Sequence, residues 1–398
     1  MNPLRRKSYL FITLCTLFLI YAHQSLELFG WFEYGFVDYR VWLSTSTILR
    51  NFNWFDIYNT ELLAKLQSTL NTFGTNTLSQ EYSVLPFAYL PIFSLLALPF
   101  GSLNPKIEIL YTIIIVSSLA IWSTSKLHQK NTLINRTDAI LGSIVGGGSL
   151  LSFFFFNPSI LLMICCTMAL TFLGNGKNIR AGALFALTFA KPQIAVWILA
   201  GLFLSKSYRC FLSMLSGIFV LLILSVLVFG MKAHASWFEL LSNYRSDFGA
   251  WTLTQPNIHM IWLRLELLTL DLNSKILIWS SILLFLLFLF VRVVHNRHFH
   301  QPAILLACSL LSVIITPHSH VHQTAIVTPF LLYNLSYTKE INLIFWNLYL
   351  YIPIMVLLAA KVIFLDYELM HFLNASAVIL CTVFILISLG NPHVAKTN

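Results

Sequence analysis

Apolar residues along this chain fall in long, nearly unbroken blocks rather than alternating or marking one helical face. The blocks lie at about 8–26, 83–103, 106–124, 138–156, 158–173, 181–204, 211–230, 275–294, 302–317, 324–337, 341–365 and 371–390. A helix crossing a bilayer needs roughly 20 apolar residues, and helices satisfy their backbone polar groups within one segment, as lipid demands. A β-barrel would show short alternating segments instead. The pattern predicts an all-α polytopic membrane protein with about 11–13 transmembrane helices. Two hydrophilic stretches, 27–82 and 231–274, interrupt it. Each is long enough for amphipathic helices lying on the membrane and too short for a separate large domain. With no internal repeat, low-complexity tract or linker, residues 1–398 read as one domain.

Composition agrees. Of 398 residues, 58% are hydrophobic and 10% charged, against roughly 25% charged in soluble domains; the mean hydropathy is +0.78. The formal charge of +9 sits mostly in short loops between apolar blocks, so it reads as topology and no nucleic-acid partner is expected. Cys15, Cys165, Cys166, Cys308 and Cys381 lie within apolar blocks and Cys210 opens another. No spacing suggests zinc or a disulfide framework, so neither a metal nor a cofactor is expected. "MNPLRRKSYLFITLCTLFLIYA" resembles a signal peptide. Because more spans follow, it reads as an uncleaved first helix, with Arg5, Arg6 and Lys7 cytoplasmic.

The basic loops then set orientation. Lys177 and Arg180 precede the block 181–204, and Lys206 and Arg209 follow it. If both loops are cytoplasmic, that block must cross twice. It is interrupted at Lys191-Pro192-Gln193, where proline breaks a helix. The expectation is two short helices whose apex lines a polar cavity. Both hydrophilic stretches, the Asn157-Pro158 break and "HSHVHQ" (318–323) then face outward. Lys126, Lys130 and Arg136 also look cytoplasmic, which requires an odd number of crossings between 83 and 124. Either 83–103, broken by Pro86, Pro91 and Pro99, dips in without spanning, or that basic loop is an exception.

Candidate chemistry clusters on the outer side. In "FVDYRVW", Asp38 stands near the membrane surface among Phe36, Tyr39 and Trp42. Partial burial raises a carboxylate's pKa, which makes a better base for a sugar hydroxyl near neutral pH; the plainer alternative is a solvated acid paired with Arg40. Lys191, an intramembrane lysine, could meet the phosphate of a lipid-linked sugar or snorkel to the surface. In "HSHVHQ", the alternate spacing of His318, His320 and His322 would suit a metal on a strand, but at a helix junction His320 and His322 better suit hydrogen bonds to a phosphate or sugar. For His318, capping the helix from Thr324 is at least as good a reading. Arg245 and Arg264, near Trp251 and Trp262, suit phosphate contacts and sugar stacking, or form an aromatic belt with flanking charges. "NPSI" (157–160) is a polar break on the same side. "GGG" at 146–148 reads as close helix packing. No glycine-rich nucleotide loop is present.

Taken in order, "FVDYRVW", "NWFDIYN", "LPFAYLPIFSLLALPF", "FAKPQ" and "TPHSHVHQTAIVTPFLLY" resemble the motifs of glycosyltransferase family 87, polyprenol-phosphate-mannose-dependent mannosyltransferases of the GT-C fold. On that pattern Asp38 takes the early aspartate, Tyr58 the turn tyrosine, Tyr89 and Pro91 the Tyr-Pro-Pro slot, and Lys191-Pro192 the lysine-proline break. His322 takes the first of two paired histidines. Leu90 replaces one proline, the turn glycine is absent, and His320 and Gln323 stand where tryptophan and histidine are common. The resemblance implies a GT-C-type enzyme in the inner or plasma membrane with an extracytoplasmic active site. It would move a hexose, mannose above all, from a polyprenyl-phosphate donor to a glycan or glycolipid acceptor, with inversion. Asp38 would be the general base, and Lys191, His322, His320, Arg245, Arg264, Tyr89 and Tyr58 would hold the donor. Two alternatives remain: a polytopic transporter or lipid flippase, and a polysaccharide polymerase or ligase.

Overall fold

A computed structural model describes residues 37–68, 87–129, 134–247, 271–295, 301–315, 321–335 and 367–389. Among the described residues the chain is helical and contains no strand. The first hydrophilic stretch, 27–82, supplies α1 (Val37–Asn51), a 3-10 turn (Trp54–Tyr58) and α2 (Thr60–Ser68). The remainder runs as α3 (Pro105–His128), α4 (Arg136–Val145), α5 (Gly147–Phe155), α6 (Ser159–Gly174), α7 (Asn178–Ala186), α8 (Pro192–Leu204), α9 (Tyr208–Asp247), α10 (Leu272–His295), α11 (Gln301–Ile314), α12 (Thr328–Leu335) and α13 (Tyr367–Leu389). Among the described residues, three helices are long and apolar enough to cross a membrane: α3, α9 over Tyr208–Ser242, and α10. Their outer faces are apolar, as with Leu110 and Ile114 on α3 and Phe285 and Phe288 on α10, all exposed. Such faces suit lipid, and the protein is an integral membrane protein.

Two blocks divide where backbone chemistry demands it. Residues 87–104 form no α-helix, only a seven-residue 3-10 turn, Pro91–Ala97, because prolines remove donors there. Among the described residues between 87 and 128, α3 is the one helix long and apolar enough to cross a membrane. α3 starts cleanly, with the Asn104 side chain accepting from Lys106 N at 3.0 Å and Pro105 in the first turn. The block 138–156 breaks at Gly146, which is extended, into α4 and α5.

The Lys191-Pro192 break is present. α7 continues as a 3-10 turn to Ala190, Lys191 is extended (φ −121°, ψ 88°), and Pro192 opens α8. The far ends of both arms return to the start of α9. Ser213 Oγ donates to Ile179 O at 2.8 Å at the foot of α7, and α8 leads into α9 through Ser205–Ser207. α8 also packs along α11, where Gly201 meets Leu305 and Cys308, and Gln301 hydrogen-bonds Ser207. The two arms thus form a hairpin with Lys191 at its apex.

α9 bends at Gly230, whose φ of +73° favours glycine. Around and beyond the bend α9 lies against the N-terminal segments: Trp54 packs on Phe229, Lys232 lies 4.0 Å from the Phe55 ring, and Trp237 Nε1 donates to Ala88 O at 3.3 Å. Close packing also fixes the late segment. At Gly148, a Cβ would fall 2.2 Å from Ala325 N and 2.3 Å from Thr324 Oγ1, so α5 and the 3-10 turn Val321–Val327 touch backbone to backbone.

Candidate active site

Asp38 lies in the first turn of α1 and is partly buried. Its partner comes from the end of α5. Phe156 adopts a left-handed conformation (φ 61°, ψ 35°), uncommon for a residue with a bulky side chain. Two things hold it there: Asn157 N donates to Ser152 O at 2.7 Å, and the Phe156 ring packs edge-on against Tyr39 and Phe100. The bend aims Asn157 at α1, and its Nδ2 donates to Asp38 Oδ2.

Behind Asn157 the polar chain continues. Asn157 Oδ1 accepts from Ser159 N at 3.0 Å and Ser159 Oγ at 2.7 Å. Lys191 Nζ donates to Ser159 Oγ at 2.9 Å and to Asn157 Oδ1 at 3.3 Å. Only one setting of the Asn157 amide fits, since its oxygen faces donors and its nitrogen faces a carboxylate. All the donors point toward Asp38, so the bonds polarise one another. Lys191 is 5% exposed; its side chain does not reach a surface. A buried ammonium is tolerable where it is hydrogen-bonded and faces an opposite charge, and here one amide separates it from Asp38.

Burial raises the Asp38 pKa to about 6. The cause is lost hydration of the charged form, opposed by the Asn157 hydrogen bond and by the positive charge of Lys191.

A cavity of about 120 Å³ adjoins this cluster, lined by Asn157, Ser152, Trp42, Phe100, Phe153 and Phe156 among others. Its walls are mostly apolar, and Ile113 and Val116 of α3 carry it toward that helix. Trp42 also stacks on Tyr89 (centroids 5.8 Å apart, planes 16° apart) and packs edge-on to Phe87.

Other residues read from the sequence are placed as follows. His322 is buried, and its carbonyl accepts from Ser152 Oγ at 3.1 Å; Ser152 lines the same cavity as Asn157. Tyr89 is partly buried, and its carbonyl accepts the Tyr58 hydroxyl at 2.7 Å, which commits Tyr58 to holding this turn. Arg245 lies within α9, but its side chain lies outside the described residues, as do His320 and Arg264 entirely. Arg40 does not pair with Asp38; its Nη2 donates to Gln67 O at 2.9 Å. Ser159 was not singled out by sequence reasoning. The signal for it was the tetrapeptide "NPSI", where polar groups flank a proline at a helix start.

A partly buried carboxylate, a buried lysine joined to it through one amide, and an adjoining apolar cavity thus meet in one helical membrane protein. The chain belongs to glycosyltransferase family 87, whose family model matches residues 87–317; it is a membrane glycosyltransferase. The matched segment contains Tyr89, Asn157, Ser159 and Lys191, whereas Asp38 and His322 lie outside it. No match was found among curated proteins or among solved structures.

Proposed function

We propose that this protein transfers a hexose, mannose by family resemblance, from a polyprenyl-phosphate donor to a hydroxyl of a glycan or glycolipid acceptor. The observation that carries the reading is Asp38 bound by Asn157, whose amide oxygen is held by Ser159 and Lys191 and which itself lines an apolar cavity. The acceptor oxygen attacks the anomeric carbon as the bond to the donor phosphate breaks. Asp38 takes the hydroxyl proton and releases it to water, and the polyprenyl phosphate leaves as an anion. One displacement inverts the anomeric centre. Lys191 has three N–H donors, two of them engaged by Ser159 and Asn157; the third is suited to the phosphate as its charge develops. His322 stands on the opposite side of Ser152 as a second candidate. The cavity walls suit the first carbons of an isoprenoid tail.

The outward orientation of this layer, in an inner or plasma membrane, rests on charge. α3 and α6 lead away from the cluster, and α7 leads back to it. Lys126, Lys177, Arg180, Lys206 and Arg209 therefore lie at the opposite helix ends, the cytoplasmic side under the positive-inside rule. α6 has 16 residues, a rise of about 24 Å against a hydrocarbon core of about 30 Å. The cluster thus sits slightly below the outer lip, within reach of a lipid-anchored donor.

The test is transfer by the purified protein from a small panel of synthetic polyprenyl-phosphate sugars to a labelled acceptor. Glycan formation that depends on the lipid-phosphate donor supports the proposal. Solute uptake or lipid movement without any glycan product would replace it with the transporter reading.

A further inference from the structure

Residue 38 has a neighbour with an unusual attachment. Tyr39 is completely buried, and its ring sits between Phe100 and Phe156, edge-on to both at 5.8 and 5.4 Å. Its hydroxyl donates to Glu108 Oε2 at 2.6 Å. Glu108, in the first turn of α3, is 4% exposed. An acid at that depth needs every lone pair occupied. Oε2 also accepts from Gly101 N at 2.9 Å, and Oε1 accepts from Ser102 N at 2.8 Å and Leu103 N at 2.7 Å. Three successive backbone N–H groups form an anion nest, and the tyrosine supplies a fourth donor from a different element.

We infer that Glu108 is a positioning residue for transfer: through the Tyr39 hydroxyl it pins the first turn of α1, and with it Asp38, to the membrane helix α3. The inference rests on the reading of Asp38 as the base. Two adjacent residues of α1 are thereby held by two adjacent residues of the α5 end, Asp38 by Asn157 and Tyr39 by Phe156. Glu108 joins that clasp to α3, a wall of the cavity through Ile113 and Val116. The Glu108 contact is the tie that runs from this pair of residues to α3 itself.

Tyr39→Phe removes the hydroxyl alone, keeping the ring among its neighbours and leaving Glu108 its three backbone donors. Thermal melting of this variant in detergent should stay near the wild type. Its kcat should fall about 10- to 100-fold, the scale of a small misplacement of a catalytic group, with donor and acceptor KM nearly unchanged. The acid limb of its pH–kcat profile should move to lower pH, because water admitted at the loosened turn lets the carboxylate ionise more easily. Glu108→Gln should move kcat and the limb the same way or further, since its amide nitrogen must face a backbone N–H. Asp38→Asn serves as the control. If Asp38→Asn is inactive while Tyr39→Phe keeps the wild-type kcat and acid limb, the Glu108 contact is packing only and the inference is wrong. If Asp38→Asn turns over normally, the base assignment fails and the role of Glu108 falls with it.

Discussion

Asn157 donates a hydrogen bond to Asp38 across 119 positions of the chain. That bond joins α1 to the break between α5 and α6. It also links the acid to Lys191 through one amide. Four expectations follow from this arrangement and its supports.

Asp38→Asn should fold and bind donor but lose transfer by roughly 10²–10⁴-fold, the range for a missing general base. Single-turnover transfer in detergent, with donor binding measured separately, checks this.

The pH dependence should carry the mark of burial. The Asp38 pKa is raised to about 6, so the ionised base gives way to the neutral acid as pH falls through about 6. An ordinary exposed aspartate would do so near about 4. Activity should therefore be lost on the acid side with a midpoint near pH 6, at saturating donor and acceptor.

Lys191→Met should act in two ways. The apparent donor KM should rise, because a phosphate loses an ammonium partner. The acid limb should also move to higher pH, because the nearby positive charge normally holds the Asp38 pKa down. An increase in KM without the shift would leave Lys191 as a donor contact only.

Gly148→Ala should destabilise the late segment. The new Cβ would meet Ala325 N and the Thr324 carbonyl carbon at 2.2 and 2.7 Å, backbone that cannot swing aside. Overpacking of this kind costs about 1–3 kcal/mol, sometimes more. A lower melting temperature, together with weaker transfer from displacement of the His322 region, is the expected result.

Much of this was legible in the chain. The helical membrane class follows from block length, because lipid allows few other structures. The Lys191-Pro192 apex was legible because two basic loops and a proline leave one way to thread the block 181–204. Asp38 stood out as an acid among aromatics. The division at Gly146 and the short turn at Pro91–Ala97 were harder, since an apolar block conceals where its backbone stops being helical. Glu108 was invisible for a physical reason: at the start of an apolar helix it reads as an interface acid, and only tertiary structure brings the Tyr39 hydroxyl and the 101–103 nest to its carboxylate. Ser159 was hidden likewise, because its role depends on Lys191 arriving from 32 positions away.

The most direct measurement is hexose transfer from a polyprenyl-phosphate sugar by purified wild-type protein and by Asp38→Asn, side by side, with the anomeric configuration of the product determined. The expected result is an inverted product from the wild type and at least a hundredfold less from a folded, donor-binding variant. Equal turnover by both proteins, or a product of retained configuration, would contradict Asp38 as the base of a single displacement.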